Sequence, residues 1–215
     1  EWKGLEPGPW LAPRGSGGRN GRDRNRGPDP VSFATLRPEA DVGCIRSGRN
    51  QRTRGRVAKI RRITMDDPLY AQECALREDV LLRPIGYDMV RYRRDFAGIE
   101  EKLEHFVAVV NQQGRDRVIG CAALLPGDPK PGSGRITQMA VDRQRQGEGV
   151  GRRLVVAVES RAFGELGLTE LRCHSQVTTM GFFQNLGWDA EPEVFTEAGV
   201  PHRRMVIRHD PGQEI

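Results

Sequence analysis

The stretch RITQMAVDRQRQGEGVGRRL, residues 135–154, decides the fold. Its first part, Arg135 to Val141, reads as a strand, and it runs through a turn in which Gly147, Gly149 and Gly151 are spaced by one residue. A helical pattern follows at once, from Gly149 to about Leu166. Val150, Leu154, Ala157, Val158 and Ala162 fall on one side, Arg152, Arg153 and Glu159 on the other, and Gly167 supplies a stop. The glycines permit positive φ and close backbone approach. At a helix N-terminus the unpaired N–H groups point outward with the positive end of the helix dipole behind them, which suits a pyrophosphate. Arg145, Arg152 and Arg153 can add direct charge. Two other phosphate motifs share this logic but fit worse. The dinucleotide fingerprint GxGxxG needs its third glycine one residue later, and a P-loop needs a Lys that is absent here. Taken alone, the glycines are also compatible with a tight strand-to-helix turn that binds nothing.

Outward from this turn the pattern is mixed. VAKIRRI at 57–63 alternates like a short strand, and DPLYAQECALREDVLL at 67–82 has a helical period. Asp66 or Asp67 can cap that helix, Leu69, Ala75, Leu76, Val80 and Leu81 can form its buried stripe, and Arg83-Pro84 ends it. Tyr87 to Ile99 is ambiguous, a loop with room for one short helix. His105 to Asn111 and Arg117 to Leu125 are apolar runs joined by a hairpin connection containing Gly114. Beyond the long helix come a strand at Leu168–Ser175, a short helix at Thr179–Leu186, and strands near Trp188–Val194 and His202–Arg208. Antiparallel hairpins followed by a β-α-β crossover indicate an α/β domain with a mixed sheet.

Composition separates this domain from what precedes it. The first 30 residues hold seven Gly and five Pro and few large apolar side chains, so residues 1–56 read as a disordered basic tail, 57–209 as the domain and 210–215 as a short C-terminal tail. Residues 1–62 carry 15 Lys and Arg against 6 Asp and Glu, leaving 19 against 23 for the rest. The basic balance therefore belongs to the tail, which could meet a nucleic acid electrostatically but lacks aromatic residues for stacking on bases. Cys44, Cys74, Cys121 and Cys173 are irregularly spaced with no CxxC pair, so neither a metal site nor a disulfide framework is expected. No apolar run approaches the ~18 residues of a membrane span, and no signal pattern opens the chain. The expectation is a soluble, cytoplasmic protein that does not engage a membrane.

Gln146, Gly149 and Gly151 resemble the Q/R-x-x-G-x-G/A signature of the GNAT superfamily of N-acetyltransferases, preceded by a similar MAV strand end. GFFQNLGW at 181–188 resembles the family's FYxxxGF segment. VFTEAGVPHRRM at 194–205 and ALREDVLLRPIGY at 75–87 are similar to an ElaA-like bacterial subgroup. The resemblance implies a mixed, mostly antiparallel sheet of about seven strands, splayed at its middle and flanked by about four helices. It further implies acetyl-CoA (coenzyme A) as cofactor, direct acetyl transfer to an amine of a small molecule or protein, and no acyl-enzyme. It also admits a homodimer. The backbone of Met139, Ala140 and Val141 would pair with the pantetheine arm, with one N–H, at Met139 or beside it, polarising the thioester carbonyl. Gln146, Gly147, Glu148, Gly149, Val150, Gly151 and Arg152 would hold the pyrophosphate, with Phe183 also against the cofactor.

Phe183 stands where the family commonly has a Tyr that protonates the departing sulfur. Phe has no proton to give. A thiol of pKa about 8.5 is a tolerable leaving group as the thiolate, whereas a well-placed acid contributes typically ~10²- to 10⁴-fold. His174 and Tyr87 are the expected substitutes, with Tyr92, Cys173 and His202 also considered. Glu148, a carboxylate beside a pyrophosphate, is expected to point outward. Arg83, Arg91, Arg93 and Arg94 line the expected acceptor side and fit a solvated basic face, while Glu78, Asp79 and Glu197 could bind an amine. A second reading is a catalytically weak CoA-binding protein with a nucleic-acid-binding tail.

Overall fold

The computed structural model describes residues 58–209. The expected basic tail, Cys44 and the last six residues lie outside the described residues. Seven strands form one sheet: β1 (Lys59–Ile63), β2 (Glu104–Gln112), β3 (Arg115–Pro126), β4 (Ser133–Val141), β5 (Glu170–Gln176), β6 (Asp189–Glu197) and β7 (Val200–Arg208). Their spatial order is β1-β2-β3-β4-β5-β7-β6, and only β4 and β5 run parallel. Four α-helices accompany them: α1 (Tyr70–Arg77), α2 (Met89–Asp95), α3 (Val150–Glu159) and α4 (Met180–Gln184). The expected mixed sheet, its splay and its helix count are all present. No helix among the described residues is long and apolar enough to cross a membrane.

The sheet is covered on both faces, which is why β2 and β3 are near-continuous apolar runs rather than alternating ones. Phe106, Ala108 and Val110 of β2 pack with Leu154, Val155 and Val158 of α3. Val107 and Val109 point the other way, toward Leu69 and Tyr70 of the α1 segment. The β2–β3 turn uses Gln113 and Gly114, both at positive φ, as a two-residue hairpin connection requires.

Helix α3 lies unusually close to β3 because Gly120 has no side chain. A Cβ there would sit 2.8 Å from Val150 Cγ1 and 3.1 Å from Leu154 Cδ1. This contact fixes the height of the helix start, and with it the glycine turn, above the sheet. The helix continues in a wider turn through Ser160–Glu165 and stops at Gly167, which is left-handed at φ 63°.

The first helix departs from expectation. It begins at Tyr70, because Asp67 uses its side chain to accept from the Leu69 N–H in a preceding turn. Its buried face is Tyr70, Glu73 and Arg77, while Ala75 is exposed. Of the expected stripe, Leu69 is buried and Leu76, Val80 and Leu81 pack against the same cluster, but apolar periodicity does not reveal the charged residues at the most inward positions. Arg83-Pro84 does not end the helical path either. The chain continues through a 3-10 turn, Arg83–Ile85, and turns away only at Gly86, φ 73°.

Candidate active site

The β4–β5 ladder covers only Ser133–Ile136 against Glu170–Cys173. From Thr137 to Val141, β4 has no strand partner on its β5 side, so the sheet is splayed there and the backbone edge is open. On its other side β4 is bulged: Cys121 pairs with Ala140 and Ala123 with Thr137, so Gln138 and Met139 together oppose Ala122. Gln138 adopts φ 50°, a region that a residue with a Cβ rarely occupies.

The open edge leads through Asp142–Arg145 into the glycine turn. Gly147 and Gly149 have φ 80° and 76°, and a Cβ on either would meet no heavy atom within 4 Å, so the requirement for glycine there is conformational. Gly149 is the N-cap of α3 and no side chain caps that end. The first intrahelical donor is Arg153 N, to Gly149 O. The N–H groups of Val150, Gly151 and Arg152 therefore have no partner further back in the helix. Gln146 donates its carboxamide to Val141 O, closing the turn against the end of β4. Glu148 is exposed and ion-paired with Arg145 at 2.9 Å. Arg152 is exposed, and Arg153 donates to Ala58 O. An open, cationic, N–H-lined turn of this shape fits a pyrophosphate.

Gly151 answers a different need. A Cβ there would lie 3.2 Å from both Met139 Cε and Phe182 Cζ, so Met139 of the bulge, the first turn of α3 and α4 converge at one point. Phe182, half-buried, is the aromatic at that junction. Phe183 is buried in the α3-side core, edge-on to Phe182 and tilted against Trp188. Which aromatic of a consecutive pair faces the turn depends on the phase of a five-residue helix, and that is not readable from the pair itself.

His174 is the first β5 residue beyond the β4–β5 ladder. Its Nδ1 lies 2.7 Å from Glu197 Oε2, and its ring meets Phe195 edge-on at 4.8 Å. The His202 ring stacks with Phe195 at 6.1 Å and its Nδ1 bonds to Val200 O. Burial pushes the Glu197 carboxyl up, but the hydrogen bond from His174 and the charges of His174, His202 and Arg135 outweigh it and hold it below the usual range. Ionised Glu197 can only accept, so Nδ1 carries a proton, and whenever the ring holds a single proton its lone pair is at Nε2. Cys173 points to the opposite face, buried among core residues with its thiol pushed up by burial. The Tyr87 hydroxyl donates to Asp95 and Arg91 lies 4.0 Å over its ring, which ties it to α2.

Beneath the bulge lies a buried charged cluster that sequence reading missed. Arg77 makes a two-pronged ion pair with Glu100 and donates from Nε to Gln138 Oε1 at 3.2 Å. Tyr70 donates to the same Glu100 at 2.6 Å, and His105 Nδ1 meets Glu73 at 2.9 Å. Burial opposes ionisation of Glu100, but Arg77 and Tyr70 hold its carboxyl below the usual range. The Glu73–Arg77 spacing of four on a helix was the available signal.

The sequence profile of the Acetyltransferase (GNAT) domain matches residues 88–209. The uncharacterized protein YyaT of Bacillus subtilis is 25% identical over 150 residues, covering 68% of this chain and 93% of that protein. Among solved structures, an acyl-CoA N-acyltransferase from Pseudomonas aeruginosa superposes with TM-score 0.56 at 20% identity, covering 69% of this chain and 98% of its own. Escherichia coli ElaA gives 0.54 at 20%, covering 69% and 98%. A Bacillus subtilis acetyltransferase solved in complex with CoA gives 0.50 at 18%, covering 71% and 99%. These structures share the fold. With the profile matching more than half of its length, the chain belongs to the GNAT acetyltransferase family.

Proposed function

We propose that the protein transfers an acetyl group from acetyl-CoA directly to a primary amine of a small molecule or a protein. The observation that carries this reading is the open β4 edge at Thr137–Val141 running straight into the N–H-lined turn Gln146–Gly151. An extended amide-bearing arm can pair with the first while its pyrophosphate sits on the second. Bound acetyl-CoA would supply an activated acyl group.

The chain's residues then have separable tasks. Val150, Gly151 and Arg152 direct backbone N–H groups at the pyrophosphate, and Arg152 adds charge. Met139 offers its N–H at the bulge, where it can stabilise charge developing on the acyl oxygen. His174 Nε2 accepts a proton from the attacking amine, and Glu197 keeps the ring in the tautomer that can do so. Phe183, sealed in the core, gives no proton, and the thiolate leaves unassisted from that position.

A thiol-release assay against a panel of primary amines tests the reading. Turnover with at least one amine, abolished by His174→Ala with the fold intact, is expected. Absence of thiol release above the acceptor-free rate across small amines, amino acids and lysine peptides would contradict it.

A further inference from the structure

Gln138 is held at both ends by the elements beneath it. Its side-chain oxygen accepts from Arg77 Nε of α1 at 3.2 Å, and its main-chain oxygen accepts from the Cys121 thiol of β3 at 3.6 Å. It is also the residue at φ 50° in the β4 bulge. A non-glycine residue in that region costs of order 1–3 kcal/mol and persists only where its surroundings over-determine it.

Those surroundings are unusually specific. Arg77 is fully buried, as is Glu73, and Glu100 is 5% exposed. Glu100 takes the Nη1–Nη2 edge of the guanidinium, Glu73 Oε1 stands 3.6 Å from Nη1, and the Tyr92 ring lies 5.2 Å from the guanidinium carbon. Tyr70 and His105 fix the two carboxylates in turn. A cluster that costly to desolvate leaves one outward connection into β4, the Nε–H aimed at Gln138.

We propose that Arg77 and Gln138 are positioning residues for acyl transfer: their hydrogen bond, braced by Glu100, sets the β4 bulge that presents the Met139 N–H to the acyl oxygen, while Ala140 stays paired with Cys121 of β3. This rests on the acetyl-CoA reading given above. The bond fixes where the Met139 N–H points, and the glycine turn, 8 or more residues further along the chain, holds the cofactor's pyrophosphate.

The test compares Gln138→Leu, which cannot accept from Arg77, with Gln138→Glu, which can. Both leave the Arg77–Glu100 pair in place. Crystal structures of both variants, calorimetry with CoA and steady-state kinetics are measured together. In Gln138→Leu the bulge is expected to relax toward continuous pairing with Cys121–Ala123, kcat to fall ~10²-fold, and CoA affinity to stay within about threefold, since the turn is intact. Gln138→Glu is expected to keep the bulge and recover most of kcat. A Gln138→Leu structure with the bulge unchanged overturns the proposal. So does a relaxed bulge with wild-type kcat. If the wild-type protein binds no CoA, the acetyl-CoA reading falls, and the two structures still decide whether the Arg77 tie sets the bulge.

Discussion

His174 on β5 and Glu197 on β6 are joined at 2.7 Å across the width of β7, two strands apart, at the point where the sheet opens. Their meeting depends on the β6–β7 hairpin, whose tip residues Ala198 and Gly199 take φ 50° and 80°. Removing the ring by His174→Ala should lower kcat ~10²- to 10⁴-fold. Glu197→Gln keeps the shape but can donate to Nδ1 and so favour the wrong tautomer. Its kcat should fall on the order of 10²-fold. Steady-state kinetics with CoA affinity measured alongside checks both, and unchanged kcat in either variant contradicts the assigned roles.

The glycines should separate by mechanism. Gly149→Ala places a Cβ in open space at φ 76°, and the cost is backbone strain of about 1 kcal/mol. Weakened CoA affinity is the expected result, with little loss of thermal stability. Gly120→Val drives side-chain carbon into Val150 and Leu154, which overpacking makes destabilising by typically ~1–3 kcal/mol. Thermal unfolding should fall together with CoA affinity, because the helix start is lifted from the sheet.

Acid should unfold the domain before it neutralises surface charge alone. The carboxyls of Glu100 and Glu197 are held below their ordinary values by Arg77 and by His174, against the opposing effect of burial. A depressed folded-state pKa gives stability that is complete above the unfolded value, about 4.3 for Glu, and is lost as pH falls through the folded value. Melting temperature measured against pH should therefore hold to about 4.5 and drop steeply below. In Glu100→Gln the drop should be shallower and the neutral-pH stability lower by ~3 kcal/mol, since buried Arg77 loses its two-pronged partner and keeps only Glu73 at 3.6 Å.

Trp188 carries a second hidden dependence. Its indole N–H donates to Glu159 of α3 at 2.7 Å, and burial pushes that carboxyl up while the indole bond opposes it. Trp188→Phe strands a half-buried carboxylate, costing about 1–3 kcal/mol. A raised folded-state pKa disfavours the ionised form, so the loss should be larger at pH 7 than at pH 4, where Glu159 is protonated. Equal losses at both values by chemical denaturation would show that only packing was removed.

Much of this was legible in the chain. β2 and β3 announce themselves as apolar runs bounded by turns, and the glycine turn because Gly147 and Gly149 need φ values other residues resist. His174 could be picked out because it lies near the end of the strand that precedes the short helix. Its partner could not, since Glu197 is 23 residues away and only the hairpin register brings it back. The Arg77–Gln138 bond was likewise invisible: 61 residues separate the pair, and inward-facing charges break the apolar stripe that marks a helix face. The aromatic at the glycine turn is Phe182, while Phe183, the motif position, faces the core.

The central claim is that the open β4 edge and the glycine turn form one acyl-CoA site. Isothermal titration of the purified protein with acetyl-CoA tests it most directly. The account predicts one site per chain with sub-millimolar affinity, weakened at least tenfold by Gly149→Val and far less by His174→Ala. Heats indistinguishable from dilution up to millimolar acetyl-CoA, or binding untouched by Gly149→Val, would contradict it.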